Sequence, residues 1–352
     1  MLKKRKNVLI VAPTQGGYGG IEATVLAQSK AIFGKKKFNL KIVFKLVSGF
    51  EIQEELIDIF KEHGLYFEVV GRLSLDLLKY IYKADIVHGH NASPDVVLFS
   101  KLFEKLLVLT IHNKLIPSFS LHYFLWTIVN RLADFRIYNS NFVNKTWEGT
   151  RIKYNSCCIP SVSSMSKLKL STKPRKGFLF ISRWIKNKGI NELIKSYDNA
   201  CIDKKEWPLT MMGDGPERKW VKEYISRSKS TEIKLLGFVD ERTKFEYINK
   251  SKWMISPSNG KEDLGLTPIE ARFFGVPSIV TNDGGLPEAG GPTALICEPG
   301  DVKDLTNCIE RVTKMCEEEY EKRSKGALDS LKTFLKPMSV YSQIYLKLLN
   351  NN

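Results

Sequence analysis

Four side chains in the second half of the sequence have the types and spacing that a phosphorylated sugar would need. Arg183 and Lys188 follow an apolar run and bracket the start of a helical segment, where a cation opposes the helix dipole unless an anion such as a diphosphate is bound. Glu262 and Glu270 are separated by seven residues, and paired carboxylates can accept hydrogen bonds from the vicinal hydroxyls of a sugar and a ribose. Together they indicate a ligand that carries both phosphate and hydroxyl groups.

Each of these assignments has a structural alternative. Arg183 and Lys188 could be a solvated surface pair. Thr267 can be a helix N-cap, with Pro268 at the first helical position and Glu270 three residues after the cap, which predicts a capping box. A capping carboxylate needs no ligand, whereas Glu262 is predicted to lie in a loop without such a role.

The first half offers a glycine-rich turn and a histidine at a strand end. Residues 15–22 contain four glycines after a short apolar run, so their backbone N–H groups could bind an anion. The spacing matches neither the dinucleotide-binding Gly-x-Gly-x-x-Gly motif nor the Walker motif. A flexible turn without a ligand is the alternative, and for His112 the alternative is a hydrogen-bonded structural role.

Short apolar runs alternate with segments of helical period along the whole chain, which predicts two α/β domains, each a doubly wound parallel sheet. The polar stretch Ser161 to Lys176 is predicted to link them. We expect the first domain to span residues 1–165 and the second 166–337, with a cleft between the carboxyl ends of the sheets. After Pro337, apolar residues at helical spacing predict a last helix, 338–352, that crosses back to the first domain.

Eleven strands are predicted from these runs. They are Val8–Ala12, Lys41–Lys45, Phe67–Val70, Ile86–His88, Leu107–Ile111, Phe135–Asn139, Phe178–Ser182, Leu209–Met212, Lys234–Leu236, Trp253–Ser256 and Ser278–Thr281.

Positive charge is concentrated in the first half of the chain. Residues 1–175 contain 26 Lys or Arg against 13 Asp or Glu, whereas residues 176–352 contain 28 against 25. The first half is therefore expected to face an anionic partner: nucleic acid, an acidic membrane surface or a phosphorylated substrate. Solubility combined with a lysine-rich coding bias remains the alternative.

Taken in order, these segments resemble the retaining glycosyltransferases of the GT4 family, which have the GT-B fold. The second half carries the most specific part of the resemblance. Its motifs are Arg183 and Lys188 before Gly189, residues 213–216, residues 236–238, the pair Glu262 and Glu270, residues 275–277 and residues 284–288. In the first half, residues 19–22, 88–91 and 110–113 are similar to family landmarks.

The resemblance implies a nucleoside-diphosphate sugar donor, with UDP favoured over GDP. Arg183 and Lys188 would neutralise the diphosphate leaving group, Glu270 would hold the ribose and Glu262 the donor sugar. Backbone near Phe238 and Val239 would hold the base. His112 would sit beside the sugar at the domain boundary. The remaining donor-binding positions that it implies are Gly19, Gly20, Leu266 and Thr267, with a backbone N–H of Gly20 reaching the phosphates across the cleft.

The implied reaction is transfer of a hexosyl or N-acetylhexosaminyl group with retention. In the usual front-face mechanism the departing phosphate oxygen helps to deprotonate the acceptor. The sequence contains no Asp-x-Asp, so we expect no metal and no other cofactor. The acceptor is expected to be a saccharide or a polyprenyl-diphosphate-linked saccharide in bacterial surface polysaccharide synthesis.

The enzyme is expected to be cytoplasmic, with peripheral contact to an anionic membrane. Basic residues in ranges 3–6 and 35–37 could rest on anionic lipid. Phe119, Tyr123, Phe124 and Trp126 could enter the interface or line an acceptor groove, and their alternative is a place in the core.

Two rival functions stay open. A sugar-nucleotide epimerase of the same architecture would use the donor without an acceptor. Epimerases of that class lack the pair of glutamates that this sequence has at positions 262 and 270. A basic nucleic-acid-binding protein would explain the charge, but the sequence has no basic motif interleaved with aromatic residues. We therefore predict no nucleic-acid partner.

Overall fold

The computed structural model describes residues 5–33, 37–71, 74–149, 155–160, 174–228 and 232–351. The chain divides into two compact units, the first made of residues 1–164 with 336–352 and the second of residues 165–335. Most of the predicted linker and the predicted boundary at residue 165 lie outside the described residues.

The first unit is built on a parallel sheet. Its described residues form seven strands in the order β3-β2-β1-β4-β5-β6-β7. They are β1 (Lys6–Thr14), β2 (Phe38–Leu46), β3 (Phe67–Val70), β4 (Ile86–His90), β5 (Leu106–Ile111), β6 (Phe135–Tyr138) and β7 (Ser156–Cys158). Alternate residues of β1 pack into separate apolar clusters, Val8 and Ile10 in one, Leu9 and Val11 in the other. Both faces of the sheet must therefore be covered.

Helices follow the strands of this sheet. They are α1 (Gly20–Phe33), α2 (Glu54–Lys61), α3 (Leu75–Lys83), α4 (Pro94–Leu102), α5 (Leu121–Arg131) and α6 (Asn141–Glu148). Several begin with a serine whose side chain accepts a backbone N–H of the first turn, as Ser120 does from Tyr123 at 3.2 Å.

The second unit repeats this design. Its described strands form a parallel sheet in the order β10-β9-β8-β11-β12-β13. They are β8 (Phe178–Ile181), β9 (Leu209–Met212), β10 (Ile233–Gly237), β11 (Trp253–Ser256), β12 (Ser278–Thr281) and β13 (Leu295–Cys297). The helices are α7 (Ile190–Asn199), α8 (Arg218–Arg227), α9 (Glu241–Lys250), α10 (Leu266–Phe273), α11 (Leu286–Gly290), α12 (Val302–Thr313) and α13 (Glu317–Phe334).

The last helix, α14 (Ser339–Asn351), belongs to the first unit. Tyr341 and Tyr345 are fully buried in the apolar cluster that contains Val8 and Ile10. The ring of Tyr345 meets Phe38 edge-on at 5.9 Å. The predicted return of the terminal helix to the first domain is confirmed.

All eleven predicted strands are present, with ends that differ by a few residues. The prediction missed the edge strands β7 and β13, which have three residues each and are too short to show a period. No helix in the described ranges is both long and apolar enough to cross a membrane.

Candidate active site

The second unit has its topological switch point between β8 and β11. These two strands pair with each other, while β8 also pairs with β9 and β11 with β12. Doubly wound sheets bind ligands outside the carboxyl ends of their strands at this reversal. Arg183 and Lys188 follow β8, and Glu262 follows β11. The topology therefore brings three of the predicted residues to one edge of one sheet.

Lys188 and Glu262 form an ion pair across this switch point. Lys188 ends a 3₁₀ turn, Lys186–Lys188, that precedes α7. Gly189 joins the turn to the helix with φ +69°, and a Cβ there would lie 1.9 Å from the carbonyl oxygen of Pro257. The ammonium that we expected to face an anion is thus compensated by a carboxylate.

The loop that carries Glu262 is fixed by Asp283, a residue whose role the sequence analysis missed. The buried Asp283 carboxylate accepts the backbone N–H groups of Lys261 at 2.8 Å and Glu262 at 3.0 Å. Gly284 packs so closely that a Cβ would lie 2.1 Å from the Glu262 carbonyl oxygen. The position of Asp283 directly after an apolar strand and before two glycines was the available signal.

The predicted capping box at Glu270 is wrong. Helix α10 begins at Leu266, its N-cap is Gly265 with φ +93°, and no side chain caps it. A Cβ on Gly265 would lie 2.6 Å from Leu286 Cδ2. The N-cap therefore lies two residues before the predicted cap at Thr267, at a position where the packing favours glycine. Pro268 still lies in the first turn, where its missing N–H has no intrahelical acceptor. Glu270 is therefore not needed for capping.

Glu270 is instead a buried carboxylate with one oxygen bound and one unused. Its Oε1 accepts a hydrogen bond from Lys244 Nζ on α9 at 2.9 Å. Its Oε2 is buried without a hydrogen-bond partner in the described part of the chain. A buried polar atom without a partner destabilises the protein. The arrangement therefore favours a ligand that donates a hydrogen bond to Oε2.

Lys244 is a second residue that the sequence analysis missed. Burial disfavours its ammonium, but the Glu270 and Glu241 carboxylates outweigh this effect and raise the pKa of Lys244 above its ordinary value. Lys244 therefore stays charged and holds Glu270 in one orientation. Nothing in the sequence separated Lys244 from the many surface lysines.

The other predicted donor residues of this unit lie near the same strand ends. Arg183 is exposed, and its side chain makes no hydrogen bond or ion pair with other described residues. Phe238 follows β10 and is 85% exposed, while Val239 is half-buried against the apolar cluster under α9. Leu266 and Thr267 form the first turn of α10, where backbone N–H groups lack intrahelical acceptors.

In the first unit, Gly19 and Gly20 lie at the start of α1. The helix begins at Gly20, inside the glycine run. The Gly19 N–H is used internally, because it donates to Glu22 Oε2 at 3.1 Å. Gly20 belongs to the first turn, whose N–H groups have no intrahelical acceptor.

His112 follows β5 and is 7% exposed. Its Nε2 lies 3.0 Å from His90 Nδ1, and its backbone N–H donates to Asn91 Oδ1 at 2.8 Å. Burial lowers the pKa of His112 to about 4, so the imidazole is neutral at pH 7. These are the hydrogen bonds expected if His112 has a structural role. Its predicted role beside the donor sugar stays a prediction.

Residues 164–328 match the family described as Glycosyl transferases group 1. The second unit is a group 1 glycosyl transferase domain. The resemblance seen in the sequence is thereby confirmed for this domain. The group 1 domain contains the Lys188–Glu262 pair, Glu270 and Lys244.

Several curated relatives match about two fifths of the chain. The chain is 28% identical over 145 residues to 2-deoxystreptamine N-acetyl-D-glucosaminyltransferase of Niallia circulans, which covers 40% of this chain and 37% of that protein. It is 28% identical over 137 residues to the capsular polysaccharide biosynthesis glycosyltransferase CapM of Staphylococcus aureus, covering 38% and 35%. The chain thus spans little more than a third of the length of these relatives.

Among solved structures, Anabaena HepE in complex with UDP is similar over nearly the whole chain. The TM-score is 0.78 at 17% identity, covering 98% of this chain and all of that chain. At this identity the likeness concerns the fold. The predicted fold class, two Rossmann-like α/β domains of the GT-B type, is confirmed.

Proposed function

We propose that the protein is a retaining glycosyltransferase that takes a sugar from a nucleoside-diphosphate sugar. The unpartnered oxygen of Glu270 carries this proposal, since a ribose hydroxyl is a hydrogen-bond donor of the right kind for a buried carboxylate oxygen. The group 1 domain and the bound UDP of Anabaena HepE support the ligand class. We favour UDP over GDP as the nucleotide.

In the proposed reaction, an acceptor hydroxyl oxygen bonds to the anomeric carbon of the donor. The bond from that carbon to the diphosphate oxygen breaks on the same face, and the acceptor proton passes to the departing phosphate. Arg183 and Lys188 stabilise the negative charge that grows on the leaving group, where preorganised cations act most strongly. Transfer by this route needs no metal, which stays a prediction.

Donor binding is proposed to separate Lys188 from Glu262. The diphosphate attracts the Lys188 ammonium, and the released Glu262 carboxylate accepts hydroxyls of the donor sugar. The ion pair keeps both half-buried charges compensated before the donor arrives. The roles of Gly20, Phe238, Val239 and His112 toward the donor stay predictions.

The experiment that tests the donor site is a thermal-shift panel of UDP, GDP, ADP and their sugars, because a ligand that binds the folded state raises the Tm. Glu270→Gln removes the charge and should weaken nucleotide binding about tenfold or more, since a hydrogen bond to a charged group contributes about 1.5–3 kcal/mol. Glu241→Gln is the matched control, because Glu241 also pairs with Lys244 but its side chain is 42% exposed, whereas that of Glu270 is 4% exposed. Equal nucleotide binding by Glu270→Gln and Glu241→Gln would contradict the proposal.

Transfer itself is tested with the sugar nucleotide that this panel selects. Arg183→Ala and Glu262→Ala should each remove most transfer while the Tm without ligand stays near that of the wild type. Lys186→Ala, an exposed lysine in the same 3₁₀ turn as Lys188, should keep the wild-type rate. Interconversion of the sugar without any acceptor would instead indicate an epimerase.

We also propose that the first unit binds an anionic membrane and that the acceptor is a saccharide linked to a polyprenyl diphosphate. Helix α5 presents an exposed apolar stripe that continues into the loop before it. Its members are Ile116, Phe119, Leu121, Phe124, Leu125, Ile128 and Leu132. Isolated exposed apolar side chains are normal, but a continuous stripe of this length indicates an interaction surface.

The charge around this stripe favours an anionic lipid surface as the partner. Residues 105–133 include Lys105, Lys114 and Arg131 and contain no Asp or Glu. Each well-placed cation contributes about 1 kcal/mol at such a surface, and the apolar stripe supplies the second contribution that stable interfacial binding needs. Of the predicted aromatics, Trp126 is half-buried against Trp147 at 5.0 Å and belongs mainly to packing. The predicted basic residues 3, 4, 35 and 36 lie outside the described residues.

Flotation with vesicles of phosphatidylglycerol and phosphatidylcholine tests this surface. We expect salt-sensitive binding that is lost in the double variant Phe119→Ser and Ile128→Ser. Leu75→Ser is the control, because Leu75 is also a well-exposed apolar side chain, at 78%, but lies on α3 of the same unit. The proposal fails if anionic vesicles do not bind the protein, or if the double variant changes only self-association.

A further inference from the structure

The loop between β11 and α10 contains a strained residue directly before Glu262. Lys261 has a φ of +54°, in the left-handed region, where only three described residues other than glycine are found. This conformation brings the Cβ of an L-residue too close to the backbone, and it persists only where the surroundings hold it. Contacts from outside the loop must therefore fix the backbone at Lys261.

Asp283, which follows β12, makes these contacts. The residue is 5% exposed, and its carboxylate accepts the N–H of Lys261 at Oδ1 and the N–H of Glu262 at Oδ2. These two N–H groups flank the Cα of Lys261, so one carboxylate holds the backbone on both sides of the strained residue. Hydrogen bonds to a charged acceptor are about twice as strong as those between neutral groups.

The turn that begins at Asp283 also binds Glu262 on its carbonyl side. The Gly285 N–H donates to the Glu262 carbonyl oxygen at 2.7 Å. A Cβ at Gly285 would lie 2.6 Å from the Asp263 carbonyl oxygen, so the two chains approach too closely for a side chain there. The main chain of Glu262 is thus held at both its N–H and its C=O by one short turn.

The side chain of Glu262 starts from this fixed main chain and reaches Lys188. A carboxylate on a fixed main chain samples fewer positions, and such preorganisation strengthens the binding of a ligand that needs one of them. The carboxylate proposed for the ribose, Glu270, is held by a different residue, Lys244 on α9. The two proposed hydroxyl-binding groups therefore have separate supports.

We propose that Asp283 is a positioning residue that holds Glu262 in place for the hydroxyls of the donor sugar. It acts through the main chain of Glu262 and not by contact with the donor. This inference deepens the proposed function and rests on it. Loss of the Asp283 carboxylate should weaken recognition of the sugar, whereas recognition of the nucleotide should be retained.

Asp283→Asn tests the inference, because asparagine has one acceptor oxygen and turns an amide NH₂ toward one of the two N–H groups. Titration calorimetry gives the Kd of the nucleoside diphosphate and of the sugar nucleotide that the thermal-shift panel selects. The Kd of the sugar nucleotide should rise about fivefold or more, while that of the nucleoside diphosphate stays within about twofold. Equal weakening of both would overturn the proposal, since a carboxylate that only stabilises the fold affects both.

Asp203→Asn is the matched control in the same unit. Asp203 Oδ1 also accepts two backbone N–H groups, those of Lys205 at 3.0 Å and Glu206 at 3.4 Å. It lies in the connection before β9, at the amino ends of the strands and thus at the edge opposite the switch-point site. Asp203→Asn should leave both Kd values unchanged, and a loss of sugar recognition equal to that of Asp283→Asn would overturn the proposal.

A double-mutant cycle shows whether Asp283 acts through Glu262. In the Glu262→Ala background the side chain to be positioned is absent. Adding Asp283→Asn there should change the Kd of the sugar nucleotide by less than about twofold. An undiminished effect of Asp283→Asn in this background would refute the inference while the proposed function stands.

Hydrogen exchange of the wild type gives a readout that needs neither a variant nor a ligand. The amides of Lys261 and Glu262, bound to a buried carboxylate, should exchange at least about tenfold more slowly than those of Lys205 and Glu206, bound to an exposed one. Fast exchange of both loop amides would overturn the proposal even if Asp283→Asn does not fold. A wild type that binds no sugar nucleotide would refute the proposed function together with this inference.

Discussion

Glu270 and Lys244 show how much depends on the surroundings of a single carboxylate. The same glutamate would be a local capping group if Thr267 were the N-cap of α10, and it becomes a candidate ribose ligand because the N-cap is Gly265. Lys244 occupies one oxygen and leaves the other buried. A residue's type and spacing predicted its importance, but its role followed from which atoms had no partner.

The buried histidines His88, His90 and His112 should make the first unit less stable at acid pH. Their pKa values are lowered in the folded state, to about 3 for His88 and about 4 for His112. Above pH 6.5 both folded and unfolded forms are neutral, so these groups add no pH dependence. As the pH falls from 6.5 toward 4, the unfolded chain binds protons that the folded unit cannot, and stability is lost.

We expect the free energy of unfolding of the first unit to fall by about 1.4 kcal/mol per pH unit for each such histidine. Urea unfolding between pH 7 and pH 4 measures this slope. All five histidines lie in the first unit, so the second unit serves as an internal control. If the free energy of unfolding fell equally steeply between pH 7 and pH 4 in both units, the buried histidines would not be its cause.

At the scale of elements, the loops that carry the candidate site residues pack against one another at glycines. A side chain at these glycine positions would collide with the backbone of the neighbouring loop. Gly189, before α7, has a positive φ. A Cβ added to Gly189 would lie only 1.9 Å from the carbonyl oxygen of Pro257. This contact sets the 3₁₀ turn of Lys188 against the loop after β11. The two glycines after β12 do the same for the loop of Glu262.

Gly189→Ala should therefore destabilise the second unit by more than the strain of a positive φ alone, which is about 1–2 kcal/mol. Gly300→Ala is the control, because Gly300 also has a positive φ, +79°, but nothing lies within 4 Å of its hypothetical Cβ. Chemical denaturation of both variants gives the comparison. Equal destabilisation would show that the loops can separate without cost.

At the scale of the molecule, the two units differ in how they are assembled from the sequence. The second unit is one continuous segment with its own apolar clusters. The first unit needs α14 from the end of the chain, since Tyr341 and Tyr345 complete its core. Removing a fully buried aromatic side chain costs about 3–5 kcal/mol, which is a large part of the stability of a domain.

A fragment of residues 174–335 should unfold cooperatively on its own, whereas a fragment of residues 1–160 should not. Circular dichroism during thermal unfolding distinguishes the two behaviours. The full-length chain provides the reference transition for each unit. A cooperative transition for residues 1–160 would show that the terminal helix is dispensable.

The sequence by itself determined the fold class, eleven strands, the two-domain order and the family of the second domain. It could do so because burial on both faces of a parallel sheet requires continuous apolar runs, and because strand, turn and helix start recur at fixed places. Edge strands β7 and β13 gave no such signal, since three residues contain no period.

Only the tertiary structure decided which charged and hydrogen-bonding side chains contact one another. Lys188 and Glu262 are 74 positions apart, Lys244 and Glu270 are 26 apart, and Gln28 and Tyr345 are 317 apart. Spacing along a chain does not encode such pairs, because they form where separate strand ends and helices converge. The chemistry of Glu270 and His112 depends on partners that no local pattern contains.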